Sequence, residues 1–163
     1  MDIEFLLDLR KIKAISDYQF GSTISDTLFD NEASIHIEYS KNTGRIKHIY
    51  ESDKLLLNFR PNNGLFTLSF FSAKKIIENV KSPILRAIVL NEISEFIQKG
   101  RNVFCKHVIE IDSNLRPLDE VIVVNQNDEL LAIGRVMIPI PYIRSFKTGI
   151  AINVRKGIHK SKI

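Results

Sequence analysis

The sequence predicts an α+β chain in two modules: an N-terminal antiparallel meander with helices, joined by a helix to a β-rich C-terminal module. Three observations carry that reading. Residues 115–136, LRPLDEVIVVNQNDELLAIGRV, hold a turn, a strand, a polar hairpin connection and a return strand in uninterrupted order. Residues 34–71 hold four short apolar or alternating runs separated by clusters of turn-forming residues. Apolar residues at helical spacing recur in 3–15, 72–80 and 82–98.

Taken in order, Ile3, Leu6, Leu7, Ile12 and Ile15 give the first helix. Asp17-Tyr18-Gln19-Phe20-Gly21 is a compact aromatic and amide cluster closed by glycine, and Leu28-Phe29 is a small apolar anchor. In 34–39, Ile35, Ile37 and Tyr39 alternate with His36 and Glu38, as a half-buried strand requires. Lys41-Asn42-Thr43-Gly44 is a turn, 45–50 and 55–59 are further strands, and Pro61-Asn62-Asn63-Gly64 ends the second of them. The run 65–71 completes the meander, and 72–80 forms a helix with Ile76, Ile77 and Val80 inward. The first module therefore spans 1–80.

Ser82 as cap and Pro83 in the first turn open the expected connecting helix, 81–98. It carries Leu85, Val89, Ile93 and Phe96 on one face, and Lys99-Gly100 closes it with a cation at its negative end and a glycine just past it. The second module, 99–163, begins with a strand at 103–111. Arg116-Pro117-Leu118-Asp119 is a turn, 121–124 a wholly apolar β-branched strand and 130–136 its return. Gly134 inside that strand marks a bulge or a close approach of another backbone.

Composition is that of an ordinary globular chain, with 44% hydrophobic and 26% charged residues in 163. No apolar run reaches the roughly 20 residues that span a bilayer, and Asp2, Glu4 and Asp8 stand where a signal peptide would be positive, so a cytoplasmic protein is expected. Charge is one-sided. Residues 1–79 carry 10 Lys and Arg against 11 Asp and Glu, whereas 80–163 carry 13 against 8. No acid follows Glu129, while Arg135, Arg144, Lys147, Arg155, Lys156, Lys160 and Lys162 do. A polyanion surface selects such a stretch, because each cation that meets a phosphate releases a condensed counterion; a solvated basic tail is the other account.

No catalytic constellation is visible. His36, His48, His107 and His159 are dispersed, with His36 and His48 positioned to face each other across a hairpin at most. The single cysteine, Cys105, reads as a small buried residue and supplies neither a disulfide nor a zinc cluster. There is no phosphate-cradling glycine loop and no dinucleotide fingerprint. No catalytic residue, metal ligand or cofactor is assigned, and a binding protein is expected.

The series Val103-Phe104, Arg116-Pro117-x-Asp119-Glu120-Val121, Glu129-Leu130-Leu131-Ala132-x-Gly134-Arg135 and Phe146-x-x-Gly149-x-Ala151-x-x-Val154-Arg155 resembles a PUA domain, a small pseudo-barrel of RNA-modifying enzymes. Its branch is similar to the archaeal tRNA-guanine transglycosylases that make archaeosine, with Leu118 where that group usually has glycine. Asp17-Tyr18-Gln19-Phe20-Gly21, Leu28-Phe29, residues 43–50 (TGRIKHIY) and Leu57-x-x-Arg60-Pro61-x-x-Gly64-Leu65-Phe66-x-Leu68 resemble the domain before PUA in those enzymes and in archaeosine synthases. The large catalytic barrel of those enzymes has no counterpart here. The resemblance implies an RNA groove between a glycine-containing loop, Lys99, Gly100, Arg101 and Asn102, and the final strand from Gly149 through Ala151 to Asn153. Arg144, Lys147, Arg155 and Lys156 are the accompanying cations. Gly100 serves equally well as a helix stop. The expected ligand is RNA, foremost the acceptor stem and 3′ end of tRNA, bound as an accessory factor or as a subunit of a separately encoded modifying enzyme. The alternative is a protein-assembly subunit in transglycosylation or ribosome biogenesis, with incidental RNA contact.

Overall fold

The structure, a computed structural model, describes residues 2–160; Lys162 of the basic C-terminal stretch lies outside them. It divides into two compact units, Met1–Val80 and Lys81–Ile163. The α+β reading holds: an antiparallel sheet with helices comes first, and a nearly closed pseudo-barrel follows.

In the first unit, helix α1 (Ile3–Phe20) starts at Asp2, whose carboxylate accepts from the Glu4 amide, and runs five residues beyond the predicted end. Helix α2 (Ser22–Leu28) follows after Gly21. Residues 17–20 of the aromatic and amide cluster are thus the last turn of α1, and Gly21 caps it. Its Gln19 side chain donates to the Phe66 carbonyl (2.7 Å) and accepts from the Phe66 amide (2.8 Å). Strands β1 (Ile35–Tyr39), β2 (Ile46–Glu51), β3 (Lys54–Arg60) and β4 (Leu65–Leu68) form the meander in sequence order. Gln19 therefore satisfies the open edge of β4, as an edge strand needs. Helix α3 (Phe70–Asn79) is opened by a reciprocal capping pair, Ser69 and Ser72. Leu9, Ile12, Leu28, Phe29, Ile49, Leu56, Leu57, Phe66 and Ile76 make the core of this unit. His36 and His48 do not face each other: His36 pairs with Tyr50 and Glu38 with His48, and the His48 ring contacts the Asn58 side-chain oxygen.

The second unit overturns the expected helix at 81–98. Residues Arg86–Val89 are strand β5, Asn91–Ile93 a 3-10 turn and Ser94–Gln98 the short helix α4. The spacing Leu85, Val89, Ile93 fits a helix, but Leu85, Ala87 and Val89 fit a strand equally, and all three are buried. Tertiary pairing decides: β5 is hydrogen-bonded on both sides, parallel to β8 (Glu120–Val124) and antiparallel to β7 (Val108–Ile111). Phe96, expected on the inner face of that helix, is exposed, and Ile97 is buried in its place.

The strand expected at 103–111 is also broken. Strand β6 (Val103–Phe104) stops at a 3-10 turn, Cys105–His107, before β7. Sheet order explains the break. The order is β6-β10-β9-β8-β5-β7, with β9 Leu130–Val136 and β10 Ile150–Gly157, so β6 and β7 occupy opposite edges and the chain must bend between them. Every residue of β8 is buried: Val121–Val124 as an apolar strand paired on both sides should be, and Glu120 at its start with them. A short helix, α5 (Ile140–Ile143), follows β9.

Candidate nucleic-acid interface

The loop after α4 and the second half of β10 meet backbone to backbone. The Asn102 side-chain oxygen accepts from the Val154 amide (2.9 Å), and the His159 amide donates to the Gln98 carbonyl (2.9 Å). Gly157 makes this possible: a Cβ there would lie against the Gln98 carbonyl oxygen and 2.5 Å from the Gly100 amide nitrogen. Gly100 has φ +96°, and the Lys160 side chain passes over it. Further along, β6 pairs with the start of β10, Phe104 opposite Ile150 and Val103 opposite Ile152, and the Cys105 amide donates to the Gly149 carbonyl (3.0 Å). The predicted loop and strand are neighbours, joined directly by hydrogen bonds.

The predicted residues divide into two sets. Arg101, Asn153 and Lys156 are exposed around the seam, and Lys99 stands at its start in an ion pair with Glu95 (2.9 Å). That pair draws the Glu95 carboxyl below its ordinary range. Both partners are largely exposed, so the pair is weak and a phosphate can displace Glu95. Arg144 and Lys147 are exposed on the loop before β10, where Gly149 has φ +109° and open space beside it.

The other set is engaged inside the domain. Ala151 is fully buried and its carbonyl accepts from the Met137 amide, so its side chain offers RNA nothing. Asn102 spends its carbonyl oxygen on Val154. Arg155, expected to reach phosphate, donates instead to buried Glu120 (2.7 Å). Glu120 lies on β8 and needs a cation, because an unpaired buried carboxylate is costly.

Sequence reasoning missed Gly157 and Arg86. The signal for Gly157 was a glycine directly after the charged pair Arg155-Lys156, where a strand would otherwise continue with a side chain. Arg86 is fully buried on β5, its guanidinium Nε 3.1 Å from the Asp128 carboxylate at the tip of the β8–β9 hairpin. Burial pulls its pKa down and Asp128 pushes it back up. Nothing marked an arginine amid apolar neighbours as a core residue. Gly134 does mark a close approach: a Cβ would meet the Asn153 carbonyl and lie 3.0 Å from the Val154 Cα. Cys105 is buried and burial pushes its thiol pKa up, which disfavours the reactive thiolate. Among the described residues no group of three His, Cys, Asp or Glu is placed to hold a metal, and no helix is long and apolar enough to cross a membrane.

Residues 10–83 match the family described as the patch-forming domain C2 of tRNA-guanine transglycosylase, and 86–158 match the PUA domain. The chain is 42% identical over 153 residues to a tRNA-guanine(15) transglycosylase of Methanobrevibacter smithii, covering 94% of this chain and 23% of that protein. It is 38% identical to the one from Thermococcus onnurineus, covering 91% and 25%. The chain thus spans about a quarter of the length of the curated relatives it matches. Among solved structures, a hypothetical protein of Pyrococcus horikoshii superposes with a TM-score of 0.75 at 20% identity, covering 95% of this chain and 92% of that one. A conserved PUA domain protein of Thermoplasma acidophilum gives 0.65 at 14% identity, covering 96% and 92%.

Proposed function

The chain is a C2 domain followed by a PUA domain, the pair it shares with archaeal tRNA-guanine(15) transglycosylases, and from that premise we propose that it is a noncatalytic, cytoplasmic tRNA-binding protein. It holds the acceptor stem and 3′ end for a separately encoded modifying enzyme. The observation that carries the reading is the seam at Gly100 and Gly157. Gly157 lets the two backbones meet, the Lys160 side chain crosses Gly100, and Arg101, Lys156 and Lys160 stand exposed around the seam. Cations there bind phosphates, while unpaired terminal nucleotides present free faces and edges. Asn102 and Arg155 position the seam, and Lys99, Arg101, Asn153 and Lys156 are assigned to contact RNA.

The test is filter binding of tRNA across a salt series, with intact tRNA and tRNA lacking its 3′ terminal nucleotides. Binding should fall steeply with salt, be weaker for the truncated tRNA, and be strongly reduced by Arg101→Glu. Equal binding of intact and truncated tRNA overturns the placement of the 3′ end. Guanine exchange into tRNA by the purified protein alone overturns the noncatalytic role. A second reading, assembly, draws on α1, whose Ile3, Leu6 and Leu7 are exposed; it gains if charge reversal at Arg101 leaves tRNA binding unchanged.

A further inference from the structure

Outside the seam, the second unit keeps a pair of aromatic rings in water. Tyr142, the penultimate residue of α5, is 54% exposed and Phe146, one turn later, is 46% exposed. The Phe146 amide donates to the Tyr142 carbonyl (3.1 Å), which continues the helical turn and puts the two side chains on one face. Their rings lie 5.9 Å apart between centroids and only 11° from parallel. Ile143 between them is buried and anchors the turn, so the pair is held away from the core rather than left behind by loose packing.

Charge distinguishes this patch from a protein-docking face. Arg144 and Lys147 flank Phe146 in the chain and both are exposed; Arg144 also lines a cavity that Glu110 of β7 enters, whereas Lys147 does not. No acid occurs anywhere in 130–160. Exposed aromatic faces in a stretch that carries cations and no acid suit a nucleotide, whose base stacks on a ring while its phosphate meets a cation. We propose that Tyr142 and Phe146, with Arg144 and Lys147, form a stacking platform for an unpaired RNA base, separate from the seam at Gly100. Stacking on a ring face is tolerant of base identity, so the ligand class is single-stranded RNA of any sequence. The inference rests on the RNA-binding reading above.

The probe is an adenosine octaribonucleotide carrying 2-aminopurine at one position, varied along the strand, mixed with the full chain. In the wild type, fluorescence at one position should be quenched on binding. Tyr142→Leu with Phe146→Leu should abolish that quench and weaken binding about tenfold, within the range of one lost stacked base. An octamer with an abasic site at the same position should bind both proteins equally, and Tyr142→Phe should behave as wild type. Both rings are half in water, so the variants should keep the wild-type unfolding temperature. Equal weakening on the abasic strand, or no weakening at all, overturns the platform while tRNA binding by the wild type keeps the broader reading. A wild type that binds neither octamer nor tRNA removes both.

Discussion

Gly157→Ala is the sharpest structural perturbation available, because the added methyl meets backbone on two sides. Its Cβ would lie against the Gln98 carbonyl oxygen and 2.5 Å from the Gly100 nitrogen, and neither can rotate away as a side chain could. Either the hydrogen bond from His159 to Gln98 breaks or the loop moves off β10. Overpacking typically costs about 1–3 kcal/mol, and rigid neighbours put this case at about 3. For a unit of this size about 3 kcal/mol lowers the unfolding temperature by roughly 12–24 °C. Gly149→Ala is the control: its φ of +109° strains any side chain, but nothing lies near the new methyl, so it should cost only about 1 kcal/mol. Calorimetry of the full chain, with hydrogen exchange at the His159 amide, reads both. The reasoning fails if Gly157→Ala unfolds within about 3 °C of wild type with His159 still protected, since the loop and strand would then separate at little cost.

Three further outcomes are expected. Leu118 has φ +75° and is 65% exposed, while its amide keeps a 2.7 Å bond to the Val136 carbonyl; Leu118→Gly should therefore raise stability by about 0.5–1 kcal/mol, measured by urea denaturation. Burial and the bond to the Asp8 carboxylate push Tyr39 up to about 12, so the folded state holds that proton more tightly than the unfolded chain does. The stabilisation is full below pH 10 and lost as pH rises toward 12, and Tyr39→Phe should flatten the stability profile in that window. Arg101→Glu should reduce the log-log salt slope of tRNA binding by about 1, the contribution of one phosphate contact, as read by filter binding.

Much of the fold was legible because its signals are local. Alternation in 34–39, the turn at 41–44 and the apolar run 121–124 each specify their element without outside help. The 82–98 segment was not, because Leu85, Ala87 and Val89 satisfy two periods at once and only the long-range need of β8 for a partner chooses between them. The break after Phe104 follows from sheet order, which no stretch of sequence states. For the interface, the glycines and exposed cations could be located. The diversion of Arg155 could not, since it depends on Glu120, thirty-five residues away, being buried within reach. Leu118 was conspicuous as a departure from the glycine of the related group, and its positive φ gives that departure a physical meaning.

The parallel pairing of β5 with β8 also bears on how the second unit folds. Arg86 opposes Ile122 and Ile88 opposes Val124, so this contact closes a loop of about 35 residues, whereas the β8–β9 hairpin closes across a few. The hairpin can form early and alone. Until β5 arrives, one edge of β8 stands open, and its apolar side chains with it. A fragment begun at Lys99 would keep the hairpin, lose the Gln98 carbonyl from the seam and lack that strand permanently, leaving a long hydrophobic edge for another chain to occupy. Such a fragment should aggregate, whereas one begun at Lys81 carries its own protection against it.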